Sequence, residues 1–178
     1  ASCTTNAASP IIAILDETVG VEKAMLSTVH GYTSSQSLVD GPSAKDFRRG
    51  RAAAANIIPT TTGASEAVTQ ALPSLRGKFK GVAIRVPVLA GSRVDVTFAA
   101  KRETSVEEIN AMLREAAHME RWEKVFAVTE EPVVSSDIIG SPHASIADLS
   151  FTSVVGGNLV KVLAWYDNEM GYAHSLIE

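Results

Sequence analysis

Cys3 is the only cysteine among 178 residues, and Ser2, Thr4, Thr5 and Asn6 surround it with hydroxyls and a side-chain amide. A thiol attacks only as thiolate, and its pKa falls at a helix amino end or beside a cationic partner such as histidine. A lone cysteine is in general more often a small buried apolar residue than a site. Here the polar neighbours tilt the reading toward chemistry. Of four histidines, His30 is the candidate partner: it falls where an alternating run gives way to a long polar stretch, an edge of the kind that presents a side chain to a cleft. His118 falls at a helix end, and His143 and His174 lie in loop-like text near Pro142 and Gly171 and read as surface residues. Neither His-x-x-x-His nor paired cysteines occur, so no metal-ligand signature is present.

Four anion-binding features accompany the thiol: Thr33, the cluster Arg48, Arg49 and Arg51, the pair Thr62 and Gly63 ahead of a short helix, and Arg85. Singly each is weak, and an arginine cluster is more often a solvated face than a site. Arginines, backbone amides and hydroxyls supply charge with oriented donors, which is what phosphate recognition needs. A thiol with two anion pockets suits chemistry on a phosphorylated carbonyl compound.

The elements that must position these groups are legible in part. Two readings of the first helix compete: Ser9 caps it with Pro10 at its first position, or it begins near Cys3 with Pro10 inside, and periodicity does not choose. Residues 21–30 alternate as a strand ending at His30, and residues 31–56 form a loop long enough to be functional. Residues 64–72 read as a short helix stopped by Pro73. In FKGVAIRVPV, Arg85 projects from the face of small residues, opposite Val82, Ile84 and Val86. In SRVDVTFAAKR, Val94, Val96, Phe98 and Ala100 share a face, and the two runs read as an antiparallel pair joined through Leu89 to Ser92. The sheet is expected to have one core face and one more polar face. Ser105 and Glu108 form a capping box before an apolar stripe of Val106, Ile109, Met112, Leu113 and Ala116. FAVTEEPV and ASIADLSFTSVV read as strands, and GGN at 156–158 as the turn into LVKVLAWY. The pattern predicts an α+β domain with a mixed, largely antiparallel sheet and helices packed on one face.

Composition narrows the function classes. With 46% hydrophobic residues the chain can bury a sizeable core as one globular unit. A net charge of −4 gives no whole-molecule attraction to nucleic acid. One cysteine makes no internal disulfide, no apolar run approaches a bilayer span, and no signal peptide is read, so a cytoplasmic location is expected. The start at Ala1 rather than Met suggests a piece of a longer protein.

ASCTTN, HGYTSSQ, RRGRAAAANIIPTTTGA, IRVP and WYDNEMGY, in this order and at these separations, resemble the catalytic half of the phosphorylating glyceraldehyde-3-phosphate dehydrogenases. The likeness covers nearly the whole chain and is closer than to the erythrose phosphate dehydrogenases, which share the SCTTN start. It implies that Cys3 attacks the aldehyde of D-glyceraldehyde 3-phosphate to give a thiohemiacetal, that His30 activates the thiol, and that loss of hydride to NAD leaves a thioester. Inorganic phosphate then releases 1,3-bisphosphoglycerate. By the same resemblance Thr33 and Arg85 hold the substrate's own phosphate, Ser2, Thr4, Arg49, Thr62 and Gly63 hold the attacking phosphate, and Asn168 holds the nicotinamide carboxamide. It places Cys3 at a helix amino end, makes 31–56 an S-shaped loop between subunits of a homotetramer, and implies that an N-terminal NAD-binding domain and a final C-terminal helix lie outside the chain, since no Gly-x-Gly-x-x-Gly follows a strand. NADP remains an alternative. Ser35 stands where the family usually has an acidic residue, Ser37 where arginine is common, Met170 where Trp or Phe is commoner, and Ala173 where Ser is usual. Two readings from the residues alone compete: a thiol-bearing binding module without redox chemistry, and a cysteine acyl hydrolase.

Overall fold

The computed structural model describes residues 2–44 and 46–177; Ala1, which opens the first motif, Lys45 in the long loop and Glu178 lie outside the described residues. Helix α1 spans Cys3–Thr18, and the Ser2 hydroxyl caps it by accepting from the Thr5 amide at 3.3 Å. Of the two sequence readings the structure takes the second, with Pro10 inside the helix. An internal proline removes one backbone bond and costs about 3 kcal/mol. Burial offsets that loss: Ala7, Ala8, Ile11, Ile12 and Leu15 are fully buried, so α1 is a core rod rather than a surface helix. Gly20, at φ +70°, ends it in the left-handed conformation that closes a helix, its amide donating to the Leu15 carbonyl at 3.0 Å.

Strand β1 (Val21–Gly31) follows, then β2 (Ile58–Thr61), α2 (Ala64–Ala71), β3 (Phe79–Val86), β4 (Ser92–Ala100), α3 (Val106–Ala117), β5 (Phe126–Thr129), β6 (Ser145–Val155), β7 (Leu159–Tyr166) and α4 (Met170–His174). The strands form one sheet in the order β2-β3-β1-β4-β7-β6-β5. β1 with β3 and β5 with β6 are parallel and the other neighbours antiparallel, which makes the domain α+β with a mixed, largely antiparallel sheet.

The expected β3–β4 hairpin is not formed. β1 lies between them, pairing Ala24–Gly31 with Phe79–Val86 on one side and Val21–Val29 with Arg93–Ala100 on the other. This arrangement satisfies both rows of β1 backbone groups, whereas a β3–β4 pair would leave β1 with an open edge. The connection 87–91 therefore crosses the end of β1. Gly31 permits the crossing, because a Cβ there would meet the Val88 carbonyl oxygen at 2.9 Å. β2, unmarked in the sequence, adds an antiparallel edge to β3, and the run FAVTEEPV keeps strand structure only to Thr129.

α1, α2 and α3 all cover one face of the sheet. Leu26, Val96 and Val162 meet there across three strands with Ile109 and Leu113 from α3. The Ser105 hydroxyl caps α3 as expected, accepting from the Glu108 amide, but the Glu108 carboxylate turns to Thr104 and Arg102 instead of completing the box. The opposite face is the more polar one, with Lys80, Asp95, Thr97 and Lys161 on it, and it also carries the exposed apolar side chains Met25, Val82 and Phe151. Gly156 and Gly157, both at positive φ, make the tight β6–β7 turn.

Candidate active site

Cys3, His30 and Arg85 come together at one end of the sheet. Cys3 is the first residue of α1, where the helix dipole favours negative charge, and His30 is the penultimate residue of β1, on its core face. Arg85 is the direct register partner of His30 on β3. The Cys3 Sγ lies 3.2 Å from His30 Nε2, and His30 Nδ1 lies 2.6 Å from the Gly31 carbonyl oxygen. With its proton on Nδ1, donated to that carbonyl, the imidazole turns a bare Nε2 to the thiol. Arg85 Nη1 donates to the same carbonyl at 3.1 Å and also hydrogen-bonds His30 Nδ1, which accepts from it when the ring proton is on Nε2.

Burial governs the charges. His30 is 2% exposed, and desolvation, followed by the Arg85 charge, lowers its pKa to about 4. Desolvation also pushes the Cys3 thiol above its usual value, against the Thr4 amide, the Arg85 charge and the Thr4 hydroxyl, which pull it down. The helix end and the histidine that the sequence reading looked for are both in place, and removal from water acts against them. The resting pair is a neutral thiol beside a neutral imidazole.

The remaining candidates sit around this centre. Arg49, on the single helical turn Phe47–Gly50, donates from Nε and Nη2 to Thr60 Oγ1 at 3.3 and 3.1 Å, and its charge adds to the lowering of the Arg85 pKa. Two cations therefore face the β2–β3 edge. Arg51 is instead paired with Asp40. Thr62 Oγ1 accepts from the Ala64 amide where Gly63 offers no side chain to cap α2. Thr33 bonds Ser35, hydroxyl to hydroxyl, at 3.0 Å. Neither Thr33 nor Thr62 hydrogen-bonds the thiol or the imidazole. Asn168 follows β7, and its Oδ1 accepts from Ser92 Oγ at 3.0 Å.

Residues 2–168 match the family described as glyceraldehyde 3-phosphate dehydrogenase, C-terminal domain. The chain belongs to that family. It is 47% identical over 178 residues to glyceraldehyde-3-phosphate dehydrogenase 2 of Streptomyces avermitilis and 48% identical over 178 residues to the glyceraldehyde-3-phosphate dehydrogenase of Geobacillus stearothermophilus. All of this chain is matched in both, with 52% of each relative's length. A third relative, the glyceraldehyde-3-phosphate dehydrogenase of Borreliella burgdorferi, is 46% identical over 179 residues, with 53% of its length covered. The chain spans about half the length of the curated relatives it matches.

Within this domain, four buried side chains that sequence reasoning missed, Tyr166, Thr28, Ser92 and Asp167, tie the centre together. Tyr166, 1% exposed, places its hydroxyl 2.9 Å from Thr4 Oγ1 and 2.8 Å from Thr28 Oγ1, with its ring edge-on to His30. Thr28 spends its proton on the Arg93 carbonyl, so Tyr166 donates to Thr28 and accepts from Thr4. Ser92 sits between the Gly31 amide and Asn168. Asp167 fixes the turn carrying Asn168: its carboxylate accepts from the Glu169, Met170 and Gly140 amides, which outweigh burial and hold its pKa below the usual range. A tyrosine at the end of an alternating run, whose hydroxyl needs a partner once buried, is the signal that could have pointed to Tyr166. His143 and His174 are half-buried rather than at the surface, and His174 Nδ1 is buried without a partner. Among the described residues no helix is long and apolar enough to cross a membrane.

Proposed function

We propose that this chain is the catalytic half of a glycolytic, NAD-dependent dehydrogenase that oxidises D-glyceraldehyde 3-phosphate with inorganic phosphate to 1,3-bisphosphoglycerate. The observation that carries the reading is the Cys3 Sγ at 3.2 Å from His30 Nε2, at a helix amino end and beside Arg85. His30 takes the thiol proton at Nε2 as Cys3 attacks the aldehyde carbon, and the thiohemiacetal so formed becomes a thioester when its hydride leaves. Inorganic phosphate attacks the thioester carbonyl, expelling the Cys3 thiolate, which recovers a proton. Arg85 and Thr33 serve the substrate's phosphate, and Arg49, Thr62, Gly63, Ser2 and Thr4 the incoming one. Bound NAD supplies the hydride acceptor. The residues here fit a carboxamide, since Asn168 keeps its Nδ2 donors open once Ser92 has engaged Oδ1. Most of the dinucleotide is held by a second domain outside these residues, in keeping with the share of each relative that the chain spans. The exposed apolar side chains of the open sheet face and of the 31–56 loop, Met25, Val82 and Phe47 among them, suit burial between copies of a cytoplasmic homotetramer.

The test is phosphate-dependent NADH formation, followed by absorbance, in the protein that joins this chain to a dinucleotide-binding domain. Turnover is expected to vanish in Cys3→Ser and to fall by roughly 10²–10⁴ in His30→Asn, the range for loss of one acid-base group. The 178 residues alone should give no NADH above a buffer blank. Full activity in Cys3→Ser, or product formation that ignores phosphate, would sink the reading.

A further inference from the structure

Ser92 is the first residue of β4, is 2% exposed, and stands opposite Tyr166 in the β4–β7 ladder. Its hydroxyl has a single proton and two neighbours. The Gly31 amide, 3.2 Å away, can only donate to it. Asn168 Oδ1, 3.0 Å away, can only accept, so the Ser92 proton goes there. The chain of bonds from Gly31 N–H through Ser92 O–H to Asn168 Oδ1 thus has a fixed direction. A flipped Asn168 amide would present Nδ2 to the serine oxygen and leave the serine proton without an acceptor in a buried place, the costly case for a polar group.

We propose that Ser92 is a positioning residue for the cofactor site: it locks the Asn168 amide with oxygen inward and Nδ2 outward, so that Asn168 meets the nicotinamide as a donor to its carboxamide oxygen. The inference rests on the dehydrogenase reading above for the identity of the cofactor, and on the geometry alone for the lock. The consequence reaches further than one hydrogen bond. Gly31 carries the carbonyl that receives His30 Nδ1 and the amide that donates to Ser92, so one residue ties the base that faces the thiol to the group that orients the ring. His30 and Asn168 are set relative to one another through three hydrogen bonds and a single residue, Gly31. A carboxamide that accepts from Nδ2 presents one ring face to the reacting carbon; an amide free to flip no longer enforces that face.

Two measurements test this. In the 178-residue chain, ¹⁵N relaxation of the Asn168 side-chain amide is expected to show an order parameter near the rigid limit of about 0.85, falling below about 0.6 in Ser92→Ala and restored in Ser92→Thr, which keeps the hydroxyl. In the protein joined to its dinucleotide-binding domain, transfer of deuterium to the nicotinamide should go to one face in the parent and in Ser92→Thr. In Ser92→Ala it should become mixed, with KM for NAD raised several-fold. A rigid Asn168 amide in Ser92→Ala, or unchanged facial selectivity in a Ser92→Ala protein that still turns over, overturns the proposal. If the joined protein transfers no hydride while the amide is rigid only with a hydroxyl at position 92, the lock stands and the dehydrogenase reading falls.

Discussion

Lowering the pH should unfold this domain sooner than its carboxylates alone would, because the fold holds His30 neutral well below the pH at which the unfolded chain protonates it. The His30 pKa is lowered from 6.5 to about 4, by desolvation first and by Arg85 second. A depressed folded-state value means that the folded protein binds fewer protons than the unfolded chain. The associated stability is therefore complete above about pH 6.5 and is lost as the pH falls toward 4. Integrating proton binding between those two values gives a loss of about 3 kcal/mol from pH 7 to pH 4, about half of it by pH 5.4. The imidazole is almost wholly shielded from water, so solvent screening takes little from this figure. Urea unfolding followed by circular dichroism, repeated at half-unit steps from pH 7 to pH 4, measures it. His30→Asn lacks the titration but keeps every carboxylate, so parent and variant should diverge by that amount over the interval. Parallel stability curves, within about 0.5 kcal/mol across the interval, would refute the assignment of a buried neutral imidazole.

Two further outcomes follow from the same structure. Arg85→Ala removes the cation beside the ring, so the His30 pKa should rise from about 4 toward 6.5 in an NMR titration of the imidazole protons; no upward movement would show that the guanidinium is not felt there. Leu113→Ala opens a cavity where α3 meets the sheet and should cost about 2–5 kcal/mol in urea unfolding with the thiol's alkylation rate unchanged, since α3 packs on β5, β6 and the end of α1 opposite Cys3.

Legibility in the sequence followed the range of the interactions. α3 and β4 were readable because their periodicity is local: Ile109, Leu113 and Ala116 fall on one helical stripe, and Val94 to Ala100 alternate. The β3–β4 pairing was misread because strand order is decided by β1, some fifty residues earlier, and nothing within 79–100 records that β1 inserts between them. β2 escaped because four residues containing Pro59 look like a turn until an edge position on β3 gives them partners. At the site, His30 could be singled out from the end of an alternating run, and the pairing with Cys3 then came from family likeness. The thiol's raised pKa could not be foreseen, because it depends on how completely α1 and β1 exclude water, which no spacing encodes. Ser92 and Tyr166 were passed over for a related reason: each looks like an ordinary strand residue, and only the fold brings their hydroxyls to Asn168, Thr4 and Thr28.

β1 is hydrogen-bonded on both flanks along most of its length, whereas the described residues of 32–56, Thr33 and Arg49 among them, lie in no strand. Amide hydrogens around His30 can exchange with solvent only when the sheet itself opens, while those of the loop exchange through small local excursions. One site is thus built on two clocks. Cys3 and His30 keep their relation for as long as the sheet and the first helix stay folded, while the loop beside them can open and close locally without disturbing that pair.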